Sequence, residues 1–291
     1  MPELPEVETV RIGLAELLPG REVRAVTHDT DKSFPNAAAD VNAFLVGSRV
    51  TAVRRRAKVL LIELSSRYSL VIHLKMTGQL VFVTPTTRFG AGHPTDSLVG
   101  QLPDKSTRVN LTFVDGSQLF FNDQRKFGWM KLLPTAEVPN IDFMQRVGPE
   151  PLAAEFTAAE FATRLQRRQN STVKAVLLDQ SVIAGVGNIY ADESLWGAKI
   201  HPSTLVKNIS AQQLSTLFTE LQYVLNLAIQ KGGSSNHTYV NAEGKKGSYM
   251  NFARVFRREG LNCPRCGTII TKLRVAGRGT HICPHCQKER N

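Results

Sequence analysis

Four cysteines near the end of this chain constrain its folding more than any other feature. Cys263, Cys266, Cys283 and Cys286 follow the spacing C-x2-C-x16-C-x2-C, and no other cysteine is present. Two close pairs can bring four thiolates to one tetrahedral zinc. Four sulfurs fill the coordination sphere, so the expected metal is one structural Zn2+ with no open catalytic position. The intervening IITKLRVAGRGTHI alternates as a hairpin does. Residues 246–291 therefore read as a zinc-ribbon finger, in which the metal stabilises a hairpin too small for its own core. Two disulfides are the competing reading, but they suit an oxidising compartment. His281 and His285 lie beside the second pair as possible ligands, yet four cysteines already complete the set.

The same segment is the most basic in the chain. Residues 245–291 carry eleven Lys or Arg against two Glu, a net +9 within a chain total of +11. Such a surface suits a polyanion, nucleic acid foremost. Lys272, Arg274 and Arg278 lie on or near the hairpin, and Arg278, between Gly277 and Gly279, reads as its tip. A rigid basic loop can grip phosphates; a solvated basic face is the plainer alternative. No apolar run is long enough to span a membrane, and no basic-then-apolar start marks a secretory signal. The expected setting is cytoplasmic, without membrane attachment.

With 291 residues the chain has room for two domains. MPELPEVETV opens it and leads into a helix: Val7, Val10, Leu14 and Leu17 recur at helical spacing. Pro5 fits the first turn, Glu6 and Glu8 suit the positive helix start, and Pro19-Gly20 ends it. Strand-like runs follow in RVTAVRRRAKVLLIEL, YSLVIHL, QLVFV, RVNLTFVDG and SQLFFND. Their alternation is partial, and no helices intervene between them. Residues 1–133 thus read as a helix against a β-sandwich or barrel. The Gly/Pro/Thr-rich stretch 84–107 reads as a mobile surface loop. Residues 134–150 resemble a linker, and 151–245 hold four helical patterns. The class is α+β.

Three further stretches invite function. Gly185-Val186-Gly187-Asn188 joins two helical patterns, where glycines let a phosphate approach the backbone; a plain helix–helix turn is the alternative. RRRAK at 54–58 runs into a strand, with Lys58 the most apolar-flanked cation. DQRKFGWMK at 123–131 sets cations beside aromatics, and Met76 in HLKMTG is a second candidate wedge for a base stack. By themselves these are equally core residues or hairpin decoration.

Taken in order, MPELPEVET, RRRAK, HLKMTG, QRKFG, GVGNIYADE and the four-cysteine finger resemble the bacterial formamidopyrimidine-DNA glycosylase family. The resemblance spans the chain. It implies an N-terminal β-sandwich with flanking helices, a helical domain with a helix-two-turn-helix, and a zinc finger. It implies a bifunctional enzyme that removes oxidised purines from duplex DNA and then cleaves the strand at the abasic site. By it, Pro2 is the nucleophile once Met1 is removed, and Glu3 its acid/base partner. Lys58, which serves the lesion site and its phosphates, and Arg278, which with Asn188 clamps the phosphates around the extruded nucleotide, count with them as catalytic residues. Met76, Arg125 and Phe127 enter the duplex, Arg125 facing the orphaned cytosine. His73 and Lys126, within the matching motifs, join the DNA contacts, and Asn188 clamps phosphate. Glu6, with Ser235 and Tyr239 of the loop after the long helix, belongs to the lesion pocket. No redox cofactor is implied, and a monomer suffices.

Two stretches depart from the family pattern. A Lys-His pair expected before the RVNLTF strand is replaced by PDKSTRV. His237 and Thr238 stand where an Arg-Asp pair is usual. An endonuclease VIII-like enzyme for oxidised pyrimidines, which typically has Gly where Leu4 stands, is the nearest alternative. A non-catalytic damaged-DNA-binding protein is another.

Overall fold

The structure is a computed structural model describing residues 2–234 and 249–289. It divides into two units, Met1–Gln145 with Ile229–Tyr249, and Arg146–Ala228 with Met250–Asn291. Among the described residues no helix is long and apolar enough to cross a membrane.

In the first unit, α1 spans Leu4–Leu17, with Glu3 at its N-cap and proline in its first turn. Glu6 reaches back so that its Oε2 accepts the Glu3 backbone N–H at 2.8 Å, the reciprocal half of a capping box. Gly20, at φ +86°, supplies the left-handed exit after Pro19. One face of α1 buries Val7, Val10 and Leu14.

Strand β1 (Val23–His28) follows, then α2 (Ala38–Asp40), which runs into a π-turn at Val41–Leu45. The remaining strands are β2 (Val50–Arg56), β3 (Val59–Leu64), β4 (Tyr68–His73), β5 (Gly78–Val83), β6 (Arg88–Gly92), β7 (Thr107–Phe113), β8 (Gln118–Asp123) and β9 (Trp129–Pro134). They form two antiparallel sheets, ordered β1-β7-β8-β5-β6 and β2-β3-β4-β9. The core lies between them, with Leu60, Ile62, Leu70 and Ile72 on one side and Leu80, Phe82, Leu111 and Phe121 on the other; α1 adds Val10 and Leu14. This is a β-sandwich.

The outer faces are partly covered too. Val138 and the half-buried Ile141, Phe143 and Met144 pack on Val59 and Val71 of the four-stranded sheet. Residues expected as linker therefore form a cover, ending in α3 (Asp142–Arg146). Leu98 packs on Val81 and Phe120 of the other sheet. Strands buried on both faces need not alternate, which is why these read as nearly continuous apolar runs.

Leu98 belongs to the 84–107 stretch, and here the structure corrects the expectation of a mobile loop. Residues 88–92 pair with β5 as β6. The Arg88 guanidinium donates to the carbonyls of Ser97, Leu98 and Gly100 at 3.1, 2.8 and 2.7 Å. Phe89 lies against Gly13 of α1, so closely that a Cβ there would come within 2.2 Å of its ring. A helix-interior glycine costs about 1 kcal/mol relative to alanine; at position 13 it makes room for Phe89.

The second unit carries α4 (Ala158–Gln166), α5 (Val173–Leu178), α6 (Asn188–Gly197) and most of α7 (Ala211–Gln230). Thr157 caps α4 by accepting the Glu160 N–H. Ser210 and Gln213 exchange backbone-to-side-chain bonds at the start of α7. β10 (Thr271–Val275) and β11 (Arg278–Ile282) form the terminal hairpin. Its turn is Ala276-Gly277, both at positive φ, as a type I′ turn requires. Arg278 pairs with Val275 as the first residue of β11, so the tip is Ala276-Gly277 and not Arg278.

Candidate active site and nucleic-acid interface

The first unit holds Pro2, Glu3 and Glu6 at the buried start of α1. The Glu6 carboxylate is shared: Oε2 takes the Glu3 N–H, and Oε1 takes the Ser234 N–H at 2.8 Å. It thus ties the chain terminus to residues 233–234. Gly233, at φ +83°, lies close enough that a Cβ would sit 3.2 Å from Glu6. Ser235, His237, Thr238 and Tyr239 lie outside the described residues.

Lys58 sits with Ala57 in the two-residue turn between β2 and β3, yet only 6% of it is exposed. His73, at the end of β4, is buried beside the Trp129 and Phe143 rings. Burial, reinforced by Lys75 and Lys58, lowers its imidazole to about 3, so it stays neutral near pH 7. Its Nδ1 accepts the Lys75 backbone N–H at 3.0 Å. Nε2 is therefore the protonated nitrogen.

Met76, half-buried, lies in the turn joining β4 to β5. Arg125, Lys126 and Phe127 lie exposed in the loop joining β8 to β9. The Arg125 guanidinium stacks 4.8 Å from the Phe127 ring centre, with Lys32 at 5.6 Å. Phe127 is 44% exposed. The two loops are not separate. Buried Asp123 accepts N–H bonds from Phe127 and Gly128 on Oδ2, at 2.8 and 2.7 Å, and a hydroxyl bond from Thr77 on Oδ1.

The PDKSTRV passage, where the Lys-His pair was expected, is held by its own hydrogen bonds. Ser106 hydrogen-bonds Asp104 and Ser97, and its carbonyl accepts the Asp123 N–H at 2.8 Å. Arg108, 5% exposed, donates to the Asp123 carbonyl at 2.8 Å and to the Asp29 carboxylate.

In the second unit, the turn between α5 and α6 wraps the Gln180 side chain. Gln180 donates to the Val186 carbonyl and accepts the Gly185 N–H. Gly185 adopts φ +79°. Asn188 begins α6, and its Nδ2 donates to the Gly279 carbonyl at 2.9 Å, next to exposed Arg278. Asn188 and Arg278 are thereby held side by side at a helix N-terminus, which favours anions. A cavity of about 460 Å3 beside them is lined by Arg257, Lys272, Glu259 and His281 among others.

Buried charges hold this arrangement. Lys174 of α5, fully buried, donates to Asp192 of α6 at 2.6 Å and to Thr280 of β11 at 2.7 Å. Asp192 also accepts the His281 N–H at 2.9 Å. Glu193 accepts the backbone N–H groups of Val255 and Phe256 at 2.9 and 2.8 Å. The sequence reading missed Lys174, Asp192, Glu193 and Asp123. The signal for Lys174 was a lone charge inside the apolar run VKAVLL.

All four cysteines are free thiols, and their sulfurs lie within 4.8 Å of one another. The sulfur separations include 3.4 Å for Cys266–Cys283, 3.5 Å for Cys266–Cys286 and 4.0 Å for Cys263–Cys286. Sulfurs bound tetrahedrally at the zinc–thiolate distance stand about 3.8 Å apart, whereas a disulfide needs about 2.05 Å. The cluster fits zinc. Burial pushes the Cys283 thiol up to about 12, a cost that a bound cation reverses. His281 is engaged by Asp192 and takes no part in the cluster.

Comparison with known proteins agrees with this geometry. Residues 1–130 match the formamidopyrimidine-DNA glycosylase N-terminal domain, and residues 147–240 its H2TH domain. Residues 260–288 match a zinc finger found in FPG and IleRS. The formamidopyrimidine-DNA glycosylase of Pediococcus pentosaceus is 42% identical, with 99% of each chain covered. That of Latilactobacillus sakei subsp. sakei is 40% identical, covering 100% of this chain and 99% of the relative. A crystal structure of a Lactococcus lactis FPG mutant with a Fapy-dG containing DNA superposes with a TM-score of 0.87 at 33% identity, covering 99% of this chain and 100% of that one. The sandwich, the helical unit, the cysteine cluster and this full-length similarity lead to one assignment: the chain belongs to the formamidopyrimidine-DNA glycosylase family.

Proposed function

We propose that this DNA glycosylase excises oxidised purines, 8-oxoguanine and formamidopyrimidines, from duplex DNA and then cleaves the strand through a covalent adduct on Pro2. The observation that carries the reading is the buried Pro2-Glu3 pair at the start of α1, fixed by Glu6. An α-amine titrates at about 7.7–8.0, far below lysine, so a usable fraction is neutral near pH 7. The positive end of α1 disfavours a further positive charge there.

With Met1 removed, the Pro2 nitrogen attacks C1′ of the extruded nucleotide. The bond from C1′ to the base breaks, and the base leaves with the electron pair and gains a proton. Glu3 protonates the ring oxygen, the sugar opens, and C1′ is left in an iminium with Pro2. Because the amine is secondary, that adduct is cationic without needing a proton. It withdraws electrons, so C2′ loses a proton and the 3′ phosphate is expelled. A second proton loss, at C4′, expels the 5′ phosphate. Water then releases the sugar and restores Pro2.

Extrusion costs a few kcal/mol of unstacking. Met76 and Phe127 fill the vacated stack, and Arg125 faces the orphaned cytosine. Lys58, Lys126 and neutral His73, as an Nε2–H donor, contact the DNA. Asn188 and Arg278 clamp phosphates, Arg278 beside the lesion. Glu6, Ser235 and Tyr239 line the lesion pocket. One structural Zn2+ on Cys263, Cys266, Cys283 and Cys286 stiffens the hairpin that carries Arg278, and the enzyme works as a monomer.

Borohydride added to enzyme and a duplex carrying 8-oxoguanine opposite cytosine should trap an adduct. Mass analysis should place it on Pro2 of a chain lacking Met1. Absence of an adduct with both that duplex and an abasic duplex would overturn the reading, as would Met1 retained in every active molecule.

A further inference from the structure

We propose that Asp123 is a positioning residue that locks the turn carrying Met76 and the loop carrying Arg125 and Phe127 into one rigid wedge. The inference rests on the reading that those three side chains enter the duplex. Asp123 has no exposed surface and ends β8. Its backbone is held on both sides, by the Ser106 carbonyl accepting its N–H and by Arg108 donating to its carbonyl. Its carboxylate then serves the two loops together. Oδ2 accepts the Phe127 and Gly128 N–H groups; Oδ1 accepts the Thr77 hydroxyl and the Arg125 N–H, the latter at 3.2 Å. The Thr77 Oγ1 also accepts the Arg125 N–H at 3.1 Å, joining the loops a second time.

Among the described residues the other contacts of the 124–127 segment are looser: Lys126 Nζ lies 3.9 Å from the Asp29 carboxylate, and Lys32 and Arg125 lie over the Phe127 ring at 5.6 and 4.8 Å. Gln124, Arg125, Lys126 and Phe127 are all exposed, so packing does not define their geometry. Gly128 follows where a Cβ would come within 2.6 Å of Phe121 and 3.2 Å of the Asp123 Oδ2. Burying a carboxylate is costly. Only an acceptor on both oxygens can receive four donors from two loops at once. An asparagine of the same shape must turn its NH2 toward donors on one side. Asp123 therefore acts through the wedge and has no direct part at the reacting sugar.

The test is Asp123→Asn, with Thr77→Val as a milder variant, on three substrates. Two are duplexes with 8-oxoguanine opposite cytosine and opposite adenine. The third is a single-stranded abasic oligonucleotide trapped with borohydride, which has no stack to enter. Losing charge-assisted bonds of this kind should slow duplex excision by D123N about ten-fold or more and reduce cytosine-over-adenine discrimination. T77V should show the same pattern more weakly. Single-strand trapping should stay within about two-fold of the parent, whereas a general loss of structure would lower all three. Equal slowing on duplex and single strand, or normal duplex excision by D123N, overturns the proposal. Met76→Ala and Phe127→Ala separate it from the reading beneath it. Normal duplex excision by those variants removes the wedge itself; slow excision by them beside a normal D123N removes only the role of Asp123.

Discussion

Replacing His73 with asparagine should remove a defined part of the acid sensitivity of the first unit. Asparagine keeps an acceptor for the Lys75 N–H, which His73 Nδ1 receives at 3.0 Å, but does not titrate. In the folded chain the imidazole is lowered to about 3, by burial first and then by Lys75 and Lys58. In the unfolded chain it titrates at about 6.5. Between those values the unfolded state binds a proton that the folded state refuses. The stability contributed by the neutral ring is fully present above 6.5 and lost as the pH falls toward 3. The slope approaches 1.4 kcal/mol per pH unit, and from pH 7 to pH 5 the parent should lose about 2 kcal/mol more than His73→Asn. That window lies above the ordinary range of the carboxylates.

Urea unfolding can measure the difference. The chain has two tryptophans, Trp129 in the first unit and Trp196 in the second. A Trp196→Phe background in both proteins leaves Trp129, which lies 5.9 Å from the His73 ring centre, as the reporter. His201, also lowered by burial, belongs to the second unit and is common to both proteins, so it cancels. A parent-minus-variant difference that stays constant between pH 7 and pH 5 would show that His73 protonates normally. The ring would then take up its proton below about pH 6.5, and its neutrality through that window would be wrong.

Two other outcomes follow from the second unit. Lys174→Met leaves Asp192 charged, buried and without its cation, and should cost about 3–5 kcal/mol in unfolding experiments; adding Asp192→Asn, which still accepts the His281 N–H, should restore part of that. Exhaustive chelation should release one zinc per chain by metal analysis and weaken DNA binding in a titration, because Arg278 stands on the clustered cysteines' hairpin, while the first unit's Trp129 transition stays in place.

What the sequence discloses and what it hides differ by the range of the forces involved. Helix α1 was legible because its signals are local: apolar spacing, Pro5 in the first turn and a glycine exit. The finger was legible because zinc dictates a spacing. β6 was not, since RFGAG has two glycines and one arginine and resembles loop. It is a strand because β5 pairs with it, Phe89 finds the gap over Gly13, and Arg88 gathers three carbonyls from residues 97–100. None of those partners can be inferred from neighbouring residues. The site divides in the same way. Arg125, Phe127 and Arg278 drew attention as exposed cations and aromatics within recognisable motifs. Asp123, Asp192 and Glu193 act by accepting backbone N–H groups of other segments, and a backbone donor carries no letter in the sequence. What remains visible of such residues is their cost. A charge at the end of an apolar strand or inside a buried helix must be compensated by something distant. In this chain that compensation comes from backbone N–H groups of the loop that carries Arg125 and Phe127, of the hairpin that carries Arg278, and of residues 255–256.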